Sequence, residues 1–145
     1  MSISEQLKGT SWALVEYKSE SKDGDVLYPL GEDALGTIIF TEEGHTAVQI
    51  MANDRTQVLS QEALAKYNTE VEKKMGQLGY HAYTGPFTID EEESILTTHV
   101  ALSLIPDYVG SKQARKASID GDTLKLSNVQ HPERKLVWKR IKEDK

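Results

Sequence analysis

The sequence predicts an all-β protein: an antiparallel eight-stranded barrel with one amphipathic helix packed on it. Three observations carry this. Short stretches in which apolar and polar residues alternate recur along the chain, the period of two expected of strands with one buried face. Turn chemistry separates them at Lys22-Asp23-Gly24-Asp25, Glu42-Glu43-Gly44, 90–93 and Asp120-Gly121-Asp122, and Gly24, Gly44 and Gly121 can supply the positive φ of tight hairpins. One segment alone repeats near 3.6. A hairpin meander of this length either leaves two unpaired edges or closes on itself. Closure removes the edges, which favours a barrel over a sandwich.

In chain order, the strands are expected near 12–19, 35–41, 45–51, 80–90, 94–105, 112–120, 123–127 and 135–141. The helix is expected at about 60–77, because Leu64, Tyr67, Val71, Met75 and Leu78 recur at spacings of 3, 4, 4 and 3 with charged residues between them. Gly76 and Gly79 stand near its end. Its apolar stripe is narrow, so it should lie on the barrel and cover one end or one wall, as a packing helix or as a lid over a pocket.

A length of 145 residues fits a single domain, 1–145, and no internal repeat or low-complexity tract divides it. Charged residues make up 28% of the chain and are interspersed rather than blocked, as in an ordinary globule. A net charge of -6 argues against nucleic acid as a partner. The basic stretch at 134–145 is interrupted by Glu143 and Asp144 and flanked by Glu133. The absence of cysteine excludes disulfides, thiolate metal sites and thiol nucleophiles. Residues 1–8 lack the apolar core of a secretory signal, and no apolar run reaches membrane-spanning length. The expectation is a cytoplasmic chain with no membrane or nucleic-acid partner and no cofactor. A homodimer is the commonest assembly for such a domain.

Several motifs run in a consistent order. They begin with Gly9-Thr10-Ser11-Trp12-Ala13-Leu14-Val15, Tyr28-Pro29-Leu30-Gly31 and Gly36-Thr37-Ile38-Ile39-Phe40-Thr41, the last leading through Glu42-Glu43-Gly44-His45 to Gln49 and Met51. Tyr83-Thr84-Gly85 follows, then Thr98-His99-Val100 to Ser103-Leu104, Pro106 and Val109-Gly110. Gln113 to Arg115, Asp120-Gly121-Asp122, Leu124, Leu126 and Leu136-Val137-Trp138-Lys139-Arg140 complete the series. Together, over residues 9 to 140, they resemble the bacterial and fungal lipocalin-like domain family of calycin-type β-barrels. The chain departs from the usual Gly-x-Trp opening by one residue, and its stretch 57–78 is longer than the corresponding connection in many relatives. The resemblance implies a closed or nearly closed barrel with an interior cavity. It implies less about reaction.

Trp12, early in the first strand, should close the barrel floor, with Arg140 stacked over its indole. On 45–51 the set Thr46, Val48 and Ile50 is the more hydrophobic, but the family pattern puts its recurring His and Gln on the other set, so His45 and Gln49 are expected to face inward. On 94–105 the set His99, Ala101 and Ser103 leaves volume for a guest, with His99 as a hydrogen-bonding group; the alternative inward set, Val100, Leu102 and Leu104, would fill the core. Arg115 shares a face with apolar Ala117 and Ile119, and an inward arginine needs an anionic partner from the protein or from a ligand carboxylate. Tyr83 shares a face with Phe87 and Ile89 and is expected on the cavity wall.

His81 is expected to point away from the face of Tyr83, and His131 to lie in a loop before Pro132. No two histidines stand at the close spacings of a metal motif. Glu91, Glu92 and Glu93 read as a solvated hairpin tip rather than a paired-carboxylate site. No serine-nucleophile motif, P-loop or dinucleotide fingerprint is present.

The sequence therefore predicts a barrel that binds a small hydrophobic or amphipathic molecule in its cavity, oriented by two or three of His45, Gln49, Tyr83, His99, Ser103 and Arg115. The alternatives are a cofactor-free isomerase, cyclase or dehydratase acting on a hydrophobic biosynthetic intermediate, with His99 or Tyr83 moving a proton, and a filled barrel serving only as a structural or dimerisation module.

Overall fold

The structure is a computed structural model and describes residues 1–55, 60–67 and 69–142. In chain order it comprises α1 (Ile3–Leu7), β1 (Thr10–Glu20), β2 (Val26–Leu27), β3 (Leu35–Phe40), β4 (His45–Met51), α2 (Gln61–Leu64), α3 (Glu70–Leu78), β5 (Tyr80–Asp90), β6 (Ile95–His99), β7 (Leu102–Ser103), a 3₁₀ turn (Pro106–Tyr108), β8 (Lys112–Asp120), β9 (Thr123–Asn128) and β10 (Lys135–Arg140). Hydrogen bonding runs β10-β9-β8-β6-β5-β4-β3-β1, and β10 pairs back onto β1. The result is a closed antiparallel barrel of eight strands, with β2 and β7 as short additions on β1 and β5. Among the described residues, no helix is long and apolar enough to cross a membrane.

Most strand bounds lie within two residues of expectation, because the alternation that marks them is also what buries one face. Two departures share a cause. On β1 the inward residues are Trp12 and, partly, Leu14, then Tyr17 and Ser19, so the inward set changes from even to odd. The pairing with β10 shifts by one residue between Leu14 and Glu16, which leaves Val15 exposed. This is a β-bulge: one extra residue turns the rest of the strand over.

The second departure is the expected strand 94–105, which breaks after His99. Phe87 pairs with Thr98 but Tyr83 pairs with Ser103, one residue out of step. Val100 turns aside to bond Gly110 and Ser111, and Ala101 N–H resumes the ladder by donating to Thr84 at 2.8 Å. Leu96, Thr98 and Val100 therefore face the core, whereas Leu102 and Leu104 are exposed. Gly85 permits the break, since a Cβ there would lie 1.9 Å from the His99 carbonyl oxygen.

The predicted helix 60–77 is two helices. Ser60 caps α2 by accepting from Ala63 N–H, and Thr69, in extended conformation, caps α3 by accepting from Glu72 N–H. Thr69-x-x-Glu72 has the capping-box spacing that starts a new helix. Gly79 ends α3 in the left-handed conformation, φ 69°. Leu64, Tyr67 and Met75 are buried, Val71 is half-buried and Leu78 is exposed. Residue 68, inside the expected helix, and 57–59, inside the lengthened connection, lie outside the described residues.

The two barrel ends differ. At one, Trp12 and Phe40 are buried with Leu7 of α1. The Arg140 guanidinium lies 4.4 Å from the centroid of the Trp12 ring and ion-pairs with Asp122 at 3.4 Å. Trp12 Nε1 donates to Thr10 Oγ1 at 2.9 Å, and Glu91 accepts from Ile3 and Ser4 N–H. Glu91, expected to be merely solvated, holds the first turn of α1. This end is a closed floor. At the other, Glu72 and Met75 of α3 are buried where β5 begins and β9 and β10 are joined.

Candidate ligand site in the barrel

Beneath α3 the lumen narrows to a cavity of about 40 Å³, lined on its apolar side by Ile38, Val48, Ile50, Met75, Leu126 and Trp138 and on its polar side by Tyr17, His81, Tyr83, Tyr108, Arg115, Asn128 and Arg134. That is room for about three water-sized spheres, well below the size of a drug-sized pocket. The expected roomy lumen is thus occupied largely by the protein's own aromatic side chains.

Three rings build the polar wall. His81 meets Tyr108 edge-on with centroids 4.8 Å apart, His81 and Tyr83 are 5.3 Å apart, and Tyr83 and Tyr108 are 5.2 Å apart. Their position follows from the chain: His81 and Tyr83 are two residues apart on β5 and share its inward face, while Pro106 starts the turn that presents Tyr108. His81 is 3% exposed, and neither ring nitrogen has a hydrogen-bond partner among the described residues. Burial, then the positive charges of Arg115 and Arg134, lowers its pKa to about 4, so the imidazole is neutral at pH 7. Burial pushes the Tyr83 phenol up to about 12.

Arg115, on the inward face of β8, reaches this wall half-buried. Its Nη2 donates to Tyr108 Oη at 2.9 Å, and its Nη1 donates to Ala114 O at 3.1 Å and Gln113 Oε1 at 3.3 Å. No carboxylate among the described residues pairs with it. Arg134 differs: its Nε donates to Glu72 Oε1 at 2.9 Å and its Nη2 to Thr69 Oγ1 at 2.7 Å, a buried pair that fastens α3 to the β9–β10 connection.

Of the residues singled out in the sequence, Tyr83 and Arg115 line the cavity together. His45 and Gln49 do not: Thr46, Val48 and Ile50 take the core face of β4, as their greater hydrophobicity favours, and the expected inward odd set is corrected to outward. His45 is solvated, and Gln49 Oε1 accepts from Tyr80 Oη at 2.6 Å outside the barrel. His99 also lies on the outer face, 3.5 Å from Thr88 Oγ1, because Thr98 and Val100 fill the core side. Ser103 is turned to the Tyr83 side by the bulge, yet it lies outside the cavity and its Oγ accepts from Ile105 N–H at 3.1 Å.

The expected orientation of His81 is also corrected, since strand alternation places residues 81 and 83 on one face. That signal was present in the sequence. Tyr17 could not be placed without the β1 bulge, and Tyr108, Asn128 and Arg134 stand at strand ends and turns where alternation says little.

A closed antiparallel meander with one floored end and a mixed polar and apolar cavity at the other defines a lipocalin-like barrel. The family model of the lipocalin-like domain matches residues 9–141, and the chain belongs to that family. Comparison with curated proteins and with solved structures finds no match to the chain.

Proposed function

We propose that the barrel binds a small hydrophobic or amphipathic molecule in the cavity beneath α3. The observation that carries this is the mixed wall of the cavity, where Arg115, without a carboxylate partner among the described residues, and the rings of His81, Tyr83 and Tyr108 face Val48, Ile50 and Leu126. A barrel filled only for stability gains nothing from a guanidinium without a carboxylate partner on its inner wall, because desolvating an uncompensated charge is costly. A guest with an acceptor group offsets that cost. Its apolar part packs on Val48, Ile50 and Leu126, and its polar part meets Tyr83 and Arg115. A guest larger than three waters requires the α3 end to give way, and Met75, an unbranched thioether, is the α3 side chain that lines the cavity.

The isomerase, cyclase or dehydratase alternative relied on His99 or Tyr83. His99 is outside the barrel, which leaves Tyr83 as the one of the two on the cavity wall. Binding is the better-supported function.

The test is titration with the neutral fluorophore N-phenyl-1-naphthylamine. Saturable enhancement at one probe per chain, abolished by Ile50→Trp with the far-ultraviolet circular dichroism unchanged, is the expected result. Enhancement that never saturates, or that survives Ile50→Trp, contradicts a lumenal site.

A further inference from the structure

We infer that the guest carries a carboxylate and that Arg115 receives it, with Tyr108 and His81 completing the subsite; this rests on the lumenal site proposed above. Charge sets the sign. The cavity wall holds two guanidinium groups and no carboxylate, and Glu72 neutralises one of them, Arg134, from just outside it. Arg115 remains as a net positive charge in a chain whose overall charge is -6. A cationic guest is repelled, and a neutral one leaves the guanidinium with only neutral partners, the phenols of Tyr108 and Tyr83, an amide and a peptide carbonyl.

Donor geometry selects the planar anion. A guanidinium has five N–H donors. Those on Nη1 are taken by Ala114 and Gln113, and one on Nη2 by Tyr108. Nε has no hydrogen-bond partner among the described residues, and its neighbour Nη2 is held only by phenol oxygens, with Tyr83 also within hydrogen-bonding reach of the guanidinium, so a carboxylate at this edge of the fork displaces neutral acceptors only. Tyr108 accepts from Arg115 through its oxygen, so its own hydroxyl proton is free to be donated. His81, packed edge-on against Tyr108, has a ring nitrogen available for a third donated bond. The apolar wall opposite then receives the body of a monocarboxylate, aliphatic or aromatic.

Two isosteric pairs of probes test this by isothermal titration calorimetry at pH 7.5: octanoate against octanamide, and benzoate against benzamide. For whichever body binds, the carboxylate is expected to bind at least about tenfold more tightly than its amide, and Arg115→Met to erase that preference while the amide affinity changes less than about threefold. Equal affinity for acid and amide in the wild type, or a preference that survives Arg115→Met, overturns the carboxylate subsite and leaves the lumenal site standing. Binding of none of the four probes overturns both. Circular dichroism of Arg115→Met guards against misfolding, and Arg115→Lys, which keeps the charge but loses the fork, is expected to retain only part of the preference.

Discussion

His81 shows how one side chain couples the interior to pH. In the unfolded chain an imidazole titrates near 6.5, whereas in the barrel burial and the two nearby guanidinium groups hold it near 4. Between those values the unfolded chain binds the extra proton, so this contribution to stability is complete above about pH 6.5 and declines as pH falls toward 4. At about 1.4 kcal/mol per pKa unit the loss is at most about 3 kcal/mol. Urea denaturation at a series of pH values should show this decline in the wild type and a flatter profile in His81→Phe. Superimposable profiles for the two proteins would remove His81 as the group responsible.

Gly85 is the second decisive residue. A methyl group there would meet backbone atoms of His99 and Ala101, not the end of a flexible side chain, so the β6–β7 break has no easy way to adjust. Gly85→Ala should destabilise the barrel by about 2 kcal/mol or more, read as a lower urea midpoint at unchanged slope. An unchanged midpoint would show that the break relaxes freely.

Among the elements, α3 is the one whose attachment is electrostatic. Glu72 and Arg134 are both buried, so removing either alone strands the other's charge, at about 3–5 kcal/mol. Glu72→Leu and Arg134→Met should each be severely destabilising, whereas the double variant should cost far less than their sum. A double-mutant cycle by chemical denaturation checks this, and strict additivity would mean that the pair does not act as a unit.

The same elements mark what could be seen in the sequence. Strands β4, β5 and β8 were legible to the residue because alternation is uninterrupted along them. The faces of β1 and of β6–β7 were not, because the bulges fall at Val15 and around Ala101, residues with no turn signature of their own. The two-helix arrangement was legible in the capping spacing from Thr69 to Glu72, but the continuous 3–4 apolar repeat outweighed it. Inward placement of Tyr83 followed from alternation, which also put Arg115 on a face with Ala117 and Ile119 without deciding whether that face was buried; inward placement of His45, Gln49 and His99 set the barrel's preference for apolar interior faces aside, and the apolar residues prevailed.

At the scale of the whole molecule, closure does two things. It removes the edges of the sheet, and it makes one end a floor, pinned by Trp12 and Arg140, while leaving the polar groups at the other end under a single helix. Replacing Arg140 by leucine should therefore lower stability by about 0.5–2 kcal/mol while leaving probe binding unchanged, since neither Arg140 nor Trp12 lines the cavity. Loss of probe affinity in that variant, with the fold intact, would show that the ends are coupled.

The central claim is that the cavity beneath α3 exists to hold a guest, and native mass spectrometry of the freshly purified protein tests it most directly. A fraction of the chains should carry one discrete, non-covalent small-molecule adduct, absent from Ile50→Trp prepared in the same way. Only the bare chain mass, in a spectrum whose charge states show the barrel still folded, would contradict it.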